Sequence, residues 1–483
     1  MTDKSELIIA PGPFEGTWES LRKFECPEWF RDAKLAFWSH WGPQSVPKFG
    51  DWYARHMYVE GSDQYRYHWR TYGHPSKFGY KDICRLWKAE KFDPDALMSL
   101  FVDAGAKYFV GQAMHHDNFD NFDSAHQPWN AVKVGPMKDI VKLWQQAAKA
   151  KGLPFGLTEH LGASFNWFES NKRSDTVGPY AGVPYDGNDP AYEALYYPNK
   201  DYRIDRSGEW QWYTSNSWFH GHWFNRIKDV IDKYQPDLLY SDGGVPFGEY
   251  GLAIVAHLYN TSAAIHGANR AVYNQKDTDP LVYTIGVLDI ERGQMDKIAE
   301  HPWQTDTSVG DWFYNVKDVY KTAGHVIEML IDITSKNGNL VMNIPQLPDG
   351  SLDDECAYLL KTMAKWMKVN ADGIHGTRPW IKSSEGESAV VSGAFKEDVV
   401  AWKPTDFRFT QKGDTIYAYQ MRRPLCPQTV IRSMATLKVP KIIGVQLLGC
   451  GSVAFEQTNE GLEISIPAGW QGDEPYCYAL RMG

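Results

Sequence analysis

The segment KYFVGQAMHHDNFD, from Lys107 to Asp120, begins as an apolar run and passes directly into two adjacent histidines and an acid. Similar short apolar runs recur between residue 30 and about residue 345, and longer amphipathic segments separate them. This alternation is expected of βα units around a parallel sheet. It predicts a (β/α)₈-like TIM barrel, with strand runs that end at His40, His116, His160, Asp242, Glu291 and Ile344.

The pattern changes after about residue 380, where short alternating stretches are separated by Gly, Pro and charged turns. The stretches DTIYAYQM, KIIGVQLLG and GLEISIPAG have the two-residue period of strands with one buried face. They predict a small all-β domain, so that residues 1–380 form the barrel and residues 381–483 form a second domain. The length of 483 residues agrees with this division, because a single hydrophobic core usually stops growing at a smaller size.

The composition is that of an ordinary globular protein and argues against several classes of partner and site. Hydrophobic residues make up 43% and charged residues 23% of the chain, and the net charge is -10 with acids and bases intermixed. The sequence has no stripe of basic residues that would suit a phosphate backbone, so nucleic acid is not expected as a partner. The six cysteines lack CxxC spacing and indicate neither a zinc site nor a dense disulfide framework. The 20 tryptophans fit either a large aromatic core or the walls of a cleft.

The sequence gives no indication of a membrane partner. No segment is apolar enough to span a bilayer, and the first residues lack a basic region followed by a long apolar stretch. The chain as written is therefore expected to be cytoplasmic, or periplasmic or secreted if a signal peptide has been removed. Assembly into a homo-oligomer is left open.

Polar side chains at the ends of the predicted strands are the candidate functional residues. The carboxyl ends of barrel strands converge on one face, so residues that are distant in sequence share a cavity there. Asp242 and Glu291 would suit the pair of carboxylates that cleaves a glycosidic bond. Taken singly, Asp242 also fits a turn before two glycines, and Glu291 fits a solvated acid paired with Arg292. The other strand-end candidates are His40, His115, His116, Glu159 and His160.

The adjacent residues His115 and His116 suit either hydroxyl binding or metal binding. Strand side chains alternate between two faces, so both rings reach the cavity only if the strand ends before them. Neutral imidazoles would then pair with hydroxyl groups. Four histidines and an aspartate could instead hold zinc, but two ligands on one strand are normally separated by one residue. We therefore expect no metal and no cofactor, and a metal-dependent barrel hydrolase is the alternative.

Several segments resemble the α-L-fucosidases of glycoside hydrolase family 29, in the same order along the chain. The most specific is WFRDAKLAFWSHWGPQSVPKFGDWYARHMY, from Trp29 to Tyr58, with its HWGP-type turn and WY element. HHDNFD, PDLLYSDGG and SKNGNLVMNIPQLPDG also resemble family segments, and GTRPW resembles the point where the family's barrel gives way to a β-sandwich. The resemblance implies a retaining exo-glycosidase that removes α-L-fucose from fucosylated oligosaccharides or glycoconjugates without a metal.

The resemblance also implies individual roles within the site. It assigns the nucleophile to Asp242 and, by position, the acid/base to Glu291, with Glu159 and Glu300 as rivals for the second role. It assigns sugar contacts to His40, Asp51, Trp52, His115 and His116, and the strand-end positions add Glu159 and His160. Trp38, Trp41 and Trp52 are the candidates for an aromatic wall beside the sugar, although Trp38 fits a role in the core equally well.

Three departures from the family pattern bear on specificity. Asp51 stands where the family often has Glu, FGLTEHL lacks the tyrosine of that strand, and VYNQKDTD lacks an arginine that often precedes the acid/base. These departures leave the preferred glycon and leaving group open, and a relative that prefers α-L-galactosides is one alternative. A sugar-binding protein without catalytic activity is an alternative from another class.

Overall fold

The larger part of the molecule is a closed barrel of eight parallel strands. The computed structural model describes residues 7–199, 211–424 and 426–483 of the chain. The strands are β1 (Leu35–Ser39), β2 (Tyr108–Met114), β3 (Phe155–Glu159), β4 (Leu238–Ser241), β5 (Val272–Gln275), β6 (Val287–Asp289), β7 (Trp303–Ser308) and β8 (Gly338–Asn343). Each strand pairs with its neighbours in sequence, and β8 closes the barrel on β1. The predicted (β/α)₈-like barrel is confirmed.

Helices connect the strands and pack around the barrel. The longer ones are α1 (Asp63–Thr71), α2 (Pro94–Asp103), α3 (Ile140–Ala150), α4 (Ser217–Tyr234), α5 (Glu249–His266), α6 (Ala323–Ser335) and α7 (Asp354–Asn370). Shorter helices span Trp18–Leu21, Glu28–Ala33, Tyr53–His56, Tyr80–Leu86, Ser164–Trp167, Glu193–Tyr196 and Pro280–Tyr283. The Asp93 carboxylate begins α2 by accepting the Ala96 N–H, as its position before Pro94 predicts. Among the described residues, no helix combines the length and apolarity needed to cross a membrane.

The barrel interior is filled by side chains from every second strand residue. Trp38, Val110, Leu238 and Val341 belong to one buried cluster inside the barrel, whereas Phe37 and the other outward residues join the larger core beneath the helices. The two-residue period of a strand separates these sets. It also decides which residue beyond each strand end faces the barrel axis.

The C-terminal part consists of two antiparallel sheets that enclose a second apolar core. Phe407 and Ile416 contribute to this core from one sheet, and Ile431 and Leu462 contribute from the other. The predicted C-terminal β-sandwich is confirmed, and its first strand begins at Arg378. The six-stranded sheet contains β9 (Arg378–Glu385), β10 (Phe407–Lys412), β11 (Thr415–Gln420), β13 (Ile442–Leu447), β14 (Gly451–Ser452) and β17 (Tyr476–Met482). The three-stranded sheet contains β12 (Gln428–Ile431), β15 (Phe455–Gln457) and β16 (Leu462–Ser465).

Candidate active site

The carboxyl ends of the barrel strands open into a cavity of about 310 Å³. Such a volume lies at the small end of the range for ligand sites, which is about 300–1,000 Å³. Nine of the residues predicted from the sequence line it: Trp38, His40, Asp51, Trp52, His115, His116, His160, Asp242 and Glu291. It is also lined by Trp212, Tyr240, Lys276, Asp306, Trp312 and Phe395.

Strand period explains how Asp242 reaches the cavity. Tyr240 lies in the buried cluster inside the barrel, and Asp242 follows it by two residues, immediately after β4 ends at Ser241. The Asp242 N–H donates to the Glu159 carbonyl oxygen at 3.1 Å, which continues the pairing of β4 with β3. Gly243 then turns the chain with φ +121°, where a Cβ would lie 2.5 Å from Tyr213 Oη. The glycine after Asp242 is therefore required by both conformation and space.

Asp242 is surrounded by groups that stabilise its ionised form. Lys276 Nζ lies 2.7 Å from Asp242 Oδ1, and His116 Nε2 lies 3.3 Å from Asp242 Oδ2. The Tyr240 hydroxyl donates to Asp242 Oδ1 at 3.3 Å. Burial alone would raise the pKa of Asp242, but the Lys276 ammonium and the His116 hydrogen bond outweigh it and hold this pKa well below its ordinary value.

Glu291 faces Asp242 across the same lysine but has the opposite shift. Lys276 Nζ lies 2.5 Å from Glu291 Oε2. Burial raises the pKa of Glu291 above its ordinary value, although the Lys276 ammonium opposes the rise. Because both oxygens contact one nitrogen at 2.7 and 2.5 Å, they lie no more than 5.2 Å apart. The environment therefore separates two neighbouring carboxyl groups into an ionised one and one that holds its proton more tightly.

Lys276 lies immediately after β5, a strand that is not among those predicted from the sequence. Asn274 pairs with β6 and Lys276 follows it by two residues, so both face the same side of the sheet. A second acidic pair lies near its ammonium, with Asp306 Oδ2 at 3.9 Å. Burial and the neighbouring Asp306 carboxylate raise the pKa of Asp289 well above its ordinary value. The Lys276 ammonium therefore lies among four acids, Asp242, Glu291, Asp289 and Asp306, and the raised pKa of Asp289 favours its protonated form.

Three imidazoles form a cluster beside the carboxyl pair. Ring nitrogens of His40, His115 and His160 all lie within 4.8 Å of one another. Burial is the main cause that lowers the pKa of each ring, to about 3 for His160 and well below the ordinary value for the other two. Both ring nitrogens of His40 and Nδ1 of His160 have no hydrogen-bond partner among the described residues. These neutral rings can accept or donate hydrogen bonds to a ligand.

The strand ends before the adjacent histidines, so both of them reach the cavity. β2 ends at Met114, and its pairing with β3 is irregular between Gln112 and Met114. Gln44 Nε2 lies 2.9 Å from His115 Nδ1, which leaves Nε2 of that ring directed toward the Asp51 carboxyl at 4.0 Å. Burial and the Asp311 carboxylate raise the pKa of Asp51 well above its ordinary value, so Asp51 can donate a hydrogen bond.

The aromatic wall differs in part from the expected one. Trp38 and Trp52 line the cavity, and so do Trp212 and Trp312, which are not among the predicted residues. Trp41 is fully buried instead, with its ring centroid 4.9 Å from that of Trp87 and its indole N–H donated to the Leu347 carbonyl. The tryptophans therefore serve both the core and the cleft.

Two of the candidate acids lie outside the cavity. Glu159 faces α4, where its Oε2 accepts hydrogen bonds from Trp223 Nε1 at 3.1 Å and from the Leu161 N–H at 3.0 Å. Its burial raises its pKa to about 7. The rival acid Glu300 is exposed in the loop that precedes β7, at the opposite end of the barrel. Geometry therefore leaves Glu291 as the predicted acid that faces Asp242.

Comparisons with known proteins agree on one family. A model of the α-L-fucosidase family matches residues 2–372. Tissue alpha-L-fucosidase from Mus musculus is 26% identical over 475 residues, which cover 95% of this chain and 92% of that protein. Plasma alpha-L-fucosidase from Rattus norvegicus is 28% identical over 388 residues, which cover 76% of this chain and 74% of that protein. The crystal structure of Thermotoga maritima alpha-fucosidase in complex with fucose shares the fold, with a TM-score of 0.74, 22% identity, and coverage of 97% of this chain and 100% of that chain.

Proposed function

The chain belongs to the α-L-fucosidase family of glycoside hydrolases, and we propose that its cavity cleaves terminal α-L-fucosides with Asp242 as nucleophile and Glu291 as acid/base. A retaining glycosidase needs one ionised and one protonated carboxyl group beside the scissile bond. The lowered pKa of Asp242 suits the first role, and the raised pKa of Glu291 suits the second. The opposite pKa shifts of Asp242 and Glu291 thus support the assignment of Asp242 as nucleophile and Glu291 as acid/base.

The contact of both acids with Lys276 is the observation that carries this proposal. It limits the separation of the nearest Asp242 and Glu291 oxygens to 5.2 Å. Retaining glycosidases hold their carboxyl groups about 5–5.5 Å apart, whereas inverting enzymes need about 6.5–9.5 Å to admit a water molecule. The short separation supports a double displacement through a covalent intermediate.

The proposed reaction has two balanced steps. In the first step, an Asp242 oxygen bonds to the anomeric carbon while the bond from that carbon to the leaving oxygen breaks. Glu291 gives its proton to the leaving oxygen and becomes a carboxylate. In the second step, Glu291 takes a proton from water, the water oxygen bonds to the anomeric carbon, and Asp242 departs as a carboxylate. Each step inverts the anomeric carbon, so the overall result is retention.

The rest of the cavity is proposed to hold the fucose ring. Its hydroxyl groups would meet the neutral imidazoles of His40, His115 and His160. The unpartnered nitrogens of His40 and His160 face a ligand more favourably than an apolar wall. His116, which already contacts Asp242, and the Asp51 carboxyl, whose raised pKa favours its protonated form, would supply further polar contacts, and Trp52 would supply an apolar face. Glu159 is not part of this proposal because its carboxylate lies outside the cavity. These contacts all come from residues 1–380, which we propose as the catalytic domain, with residues 381–483 as the second domain.

The three-imidazole cluster also favours a second candidate, a metal-dependent hydrolase. Its ring nitrogens lie within 4.8 Å of one another. Tetrahedral zinc with bonds of about 2.0–2.1 Å places its ligand atoms about 3.4 Å apart, so the rings would have to converge. This candidate predicts that activity is lost when the protein is treated with EDTA, whereas the carboxyl mechanism does not require a metal.

Hydrolysis of p-nitrophenyl α-L-fucoside tests the proposal. Asp242→Gly should lower kcat by at least about 10³-fold, and added azide should restore turnover and give β-L-fucosyl azide. The exposed neighbour Asp277→Asn is the matched control and should keep its activity, and EDTA should leave the unmutated chain active. The same assay with the α-L-galactoside compares the two glycons. Undiminished activity in Asp242→Gly would show that Asp242 is not the nucleophile, and loss of activity with EDTA would favour the metal-dependent candidate.

A further inference from the structure

The connection between strands β9 and β10 returns from the C-terminal domain to the mouth of the cavity. The Gly393 N–H donates to the Gln294 carbonyl oxygen, and the Phe395 N–H donates to the Glu291 carbonyl oxygen, both at 2.9 Å. The Lys396 N–H similarly donates to the Arg292 carbonyl oxygen at 2.9 Å. Residues 393–397, here called the returning segment, therefore lie directly beside the loop that carries Glu291.

A group of charged side chains fixes the returning segment in place. Glu397 accepts hydrogen bonds from Arg292 at 3.0 Å, from Lys321 at 2.9 Å and from the Thr307 hydroxyl at 2.5 Å. The Arg292 guanidinium also lies 4.8 Å from the ring centroid of Trp312, which lines the cavity. The segment is thus tied both to the barrel and to the cavity wall, so the position of its side chains relative to Glu291 is defined.

Phe395 is the residue that this arrangement places at the cavity rim. It lines the cavity, yet 66% of its surface is exposed, so its ring packs into neither hydrophobic core. Its backbone has φ +57°, a left-handed conformation that bulky residues rarely adopt. Strained backbone at a fixed position beside a cavity is characteristic of functional sites. The ring presents an apolar face that a bound ligand could cover.

The position of Phe395 relative to the carboxyl pair decides which part of a ligand it meets. The acid/base of a glycosidase contacts the glycosidic oxygen, and the leaving group continues outward from that oxygen. Phe395 is bonded through its backbone to the acid/base candidate and lies toward solvent, whereas the imidazole cluster lies deeper and is buried. We propose that Phe395 forms the platform of a leaving-group subsite that binds the pyranose ring to which fucose is attached. This inference rests on the proposed function and extends it by naming the ligand of the second subsite.

Substrates with and without a ring in the leaving group test the proposal. The ring-bearing substrates are p-nitrophenyl α-L-fucoside and an α-L-fucosyl-galactose disaccharide, and α-L-fucosyl fluoride has no ring to cover Phe395. Phe395→Ala should lower kcat/KM about tenfold for the two ring-bearing substrates, because it removes the apolar contact. Its kcat/KM for the fluoride should stay within about twofold of the unmutated value. Phe395→Trp should retain activity on all three, and Val391→Ala, which changes another exposed residue of the same connection, should do the same.

The outcomes separate a subsite from a structural role and from failure of the proposed function. An equal loss on the fluoride and on the disaccharide would mean that Phe395 only supports the Glu291 loop and would overturn the subsite. An unchanged kcat/KM for the disaccharide in Phe395→Ala would overturn it as well. Failure of the proposed function would be visible in the unmutated chain, which would then hydrolyse none of the three substrates, and both proposals would fall.

Discussion

Replacement of Lys276 by methionine should move the whole pH–activity profile to higher pH. Methionine keeps the approximate length of the side chain and removes the charge that contacts Asp242 at 2.7 Å and Glu291 at 2.5 Å. Asp242 must be ionised to attack, and its pKa rises when the ammonium is lost, so activity should begin to fall at a higher pH on the acidic side. Glu291 must be protonated to act as the acid. Its pKa also rises when the ammonium is lost, so the basic limb of the pH–activity profile should move to higher pH as well.

The size of the shift follows from the geometry. For unit charges 2.7 Å apart, Coulomb's law with an effective dielectric constant of about 20 gives about 6 kcal/mol. That energy corresponds to a pKa change of about 4, which is an upper limit because water enters the cavity and screens the pair. Opposite charges at such distances typically change a carboxyl pKa by about 1–3. We therefore expect both limbs to move by about 1–3 pH units.

The assay is kcat/KM for p-nitrophenyl α-L-fucoside between about pH 4 and pH 10, because this ratio reports the ionisation of the free enzyme. Lys276→Arg keeps the positive charge and serves as the control, with limbs close to those of the unmutated chain. Because the two acids interact, the limbs report the titration of the pair rather than of single residues. Limbs that stay in place in a folded Lys276→Met variant would refute the role of the shared cation.

Two further predictions concern the glutamates. Glu291→Ala should lower kcat/KM for the aryl fucoside by about 10²–10⁴-fold. The loss should be much smaller for fucosyl fluoride, because fluoride leaves without a proton. Equal losses on the two substrates would contradict an acid role for Glu291. Glu159→Gln should keep kcat/KM within about threefold of the unmutated value while lowering Tm, because Glu159 bonds to Trp223 outside the cavity rather than to a ligand. A loss of activity as large as that of Glu291→Ala would show that Glu159 takes part in the reaction.

The barrel and most of the site could be predicted because strand ends carry a simple signal. An apolar run that stops at a histidine or an acid marks the carboxyl end of a barrel strand, and five of the eight strands show it, whereas the run of β8 ends at Ile344. Strands β5 and β7 lack this signal, because half of the residues in VYNQ and most of those in WQTDTS are polar. Without β5, nothing marked Lys276 as a strand-end residue.

The two-residue period of a strand separates the candidate residues that face the cavity from those that face the helices. His160 lies two residues after Thr158 and faces the cavity, whereas Glu159 between them must face the helices. The same rule would have selected Lys276 once β5 was known. Phe395 is different in kind, because Glu397 and Arg292 are 105 positions apart and only the folded chain brings the returning segment to Glu291.

A single cation between two acids has a consequence for the second half of the proposed reaction. In the proposed free enzyme Lys276 balances the charge of Asp242, while the raised pKa of Glu291 favours the proton that this residue is to donate. When Asp242 becomes an ester it loses its charge, and Lys276 remains beside Glu291, which has just become a carboxylate. The ammonium then stabilises the deprotonated glutamate that must accept a proton from water. The same residue thus favours an ionised nucleophile in the first step and a carboxylate base in the second, without moving from its place between them.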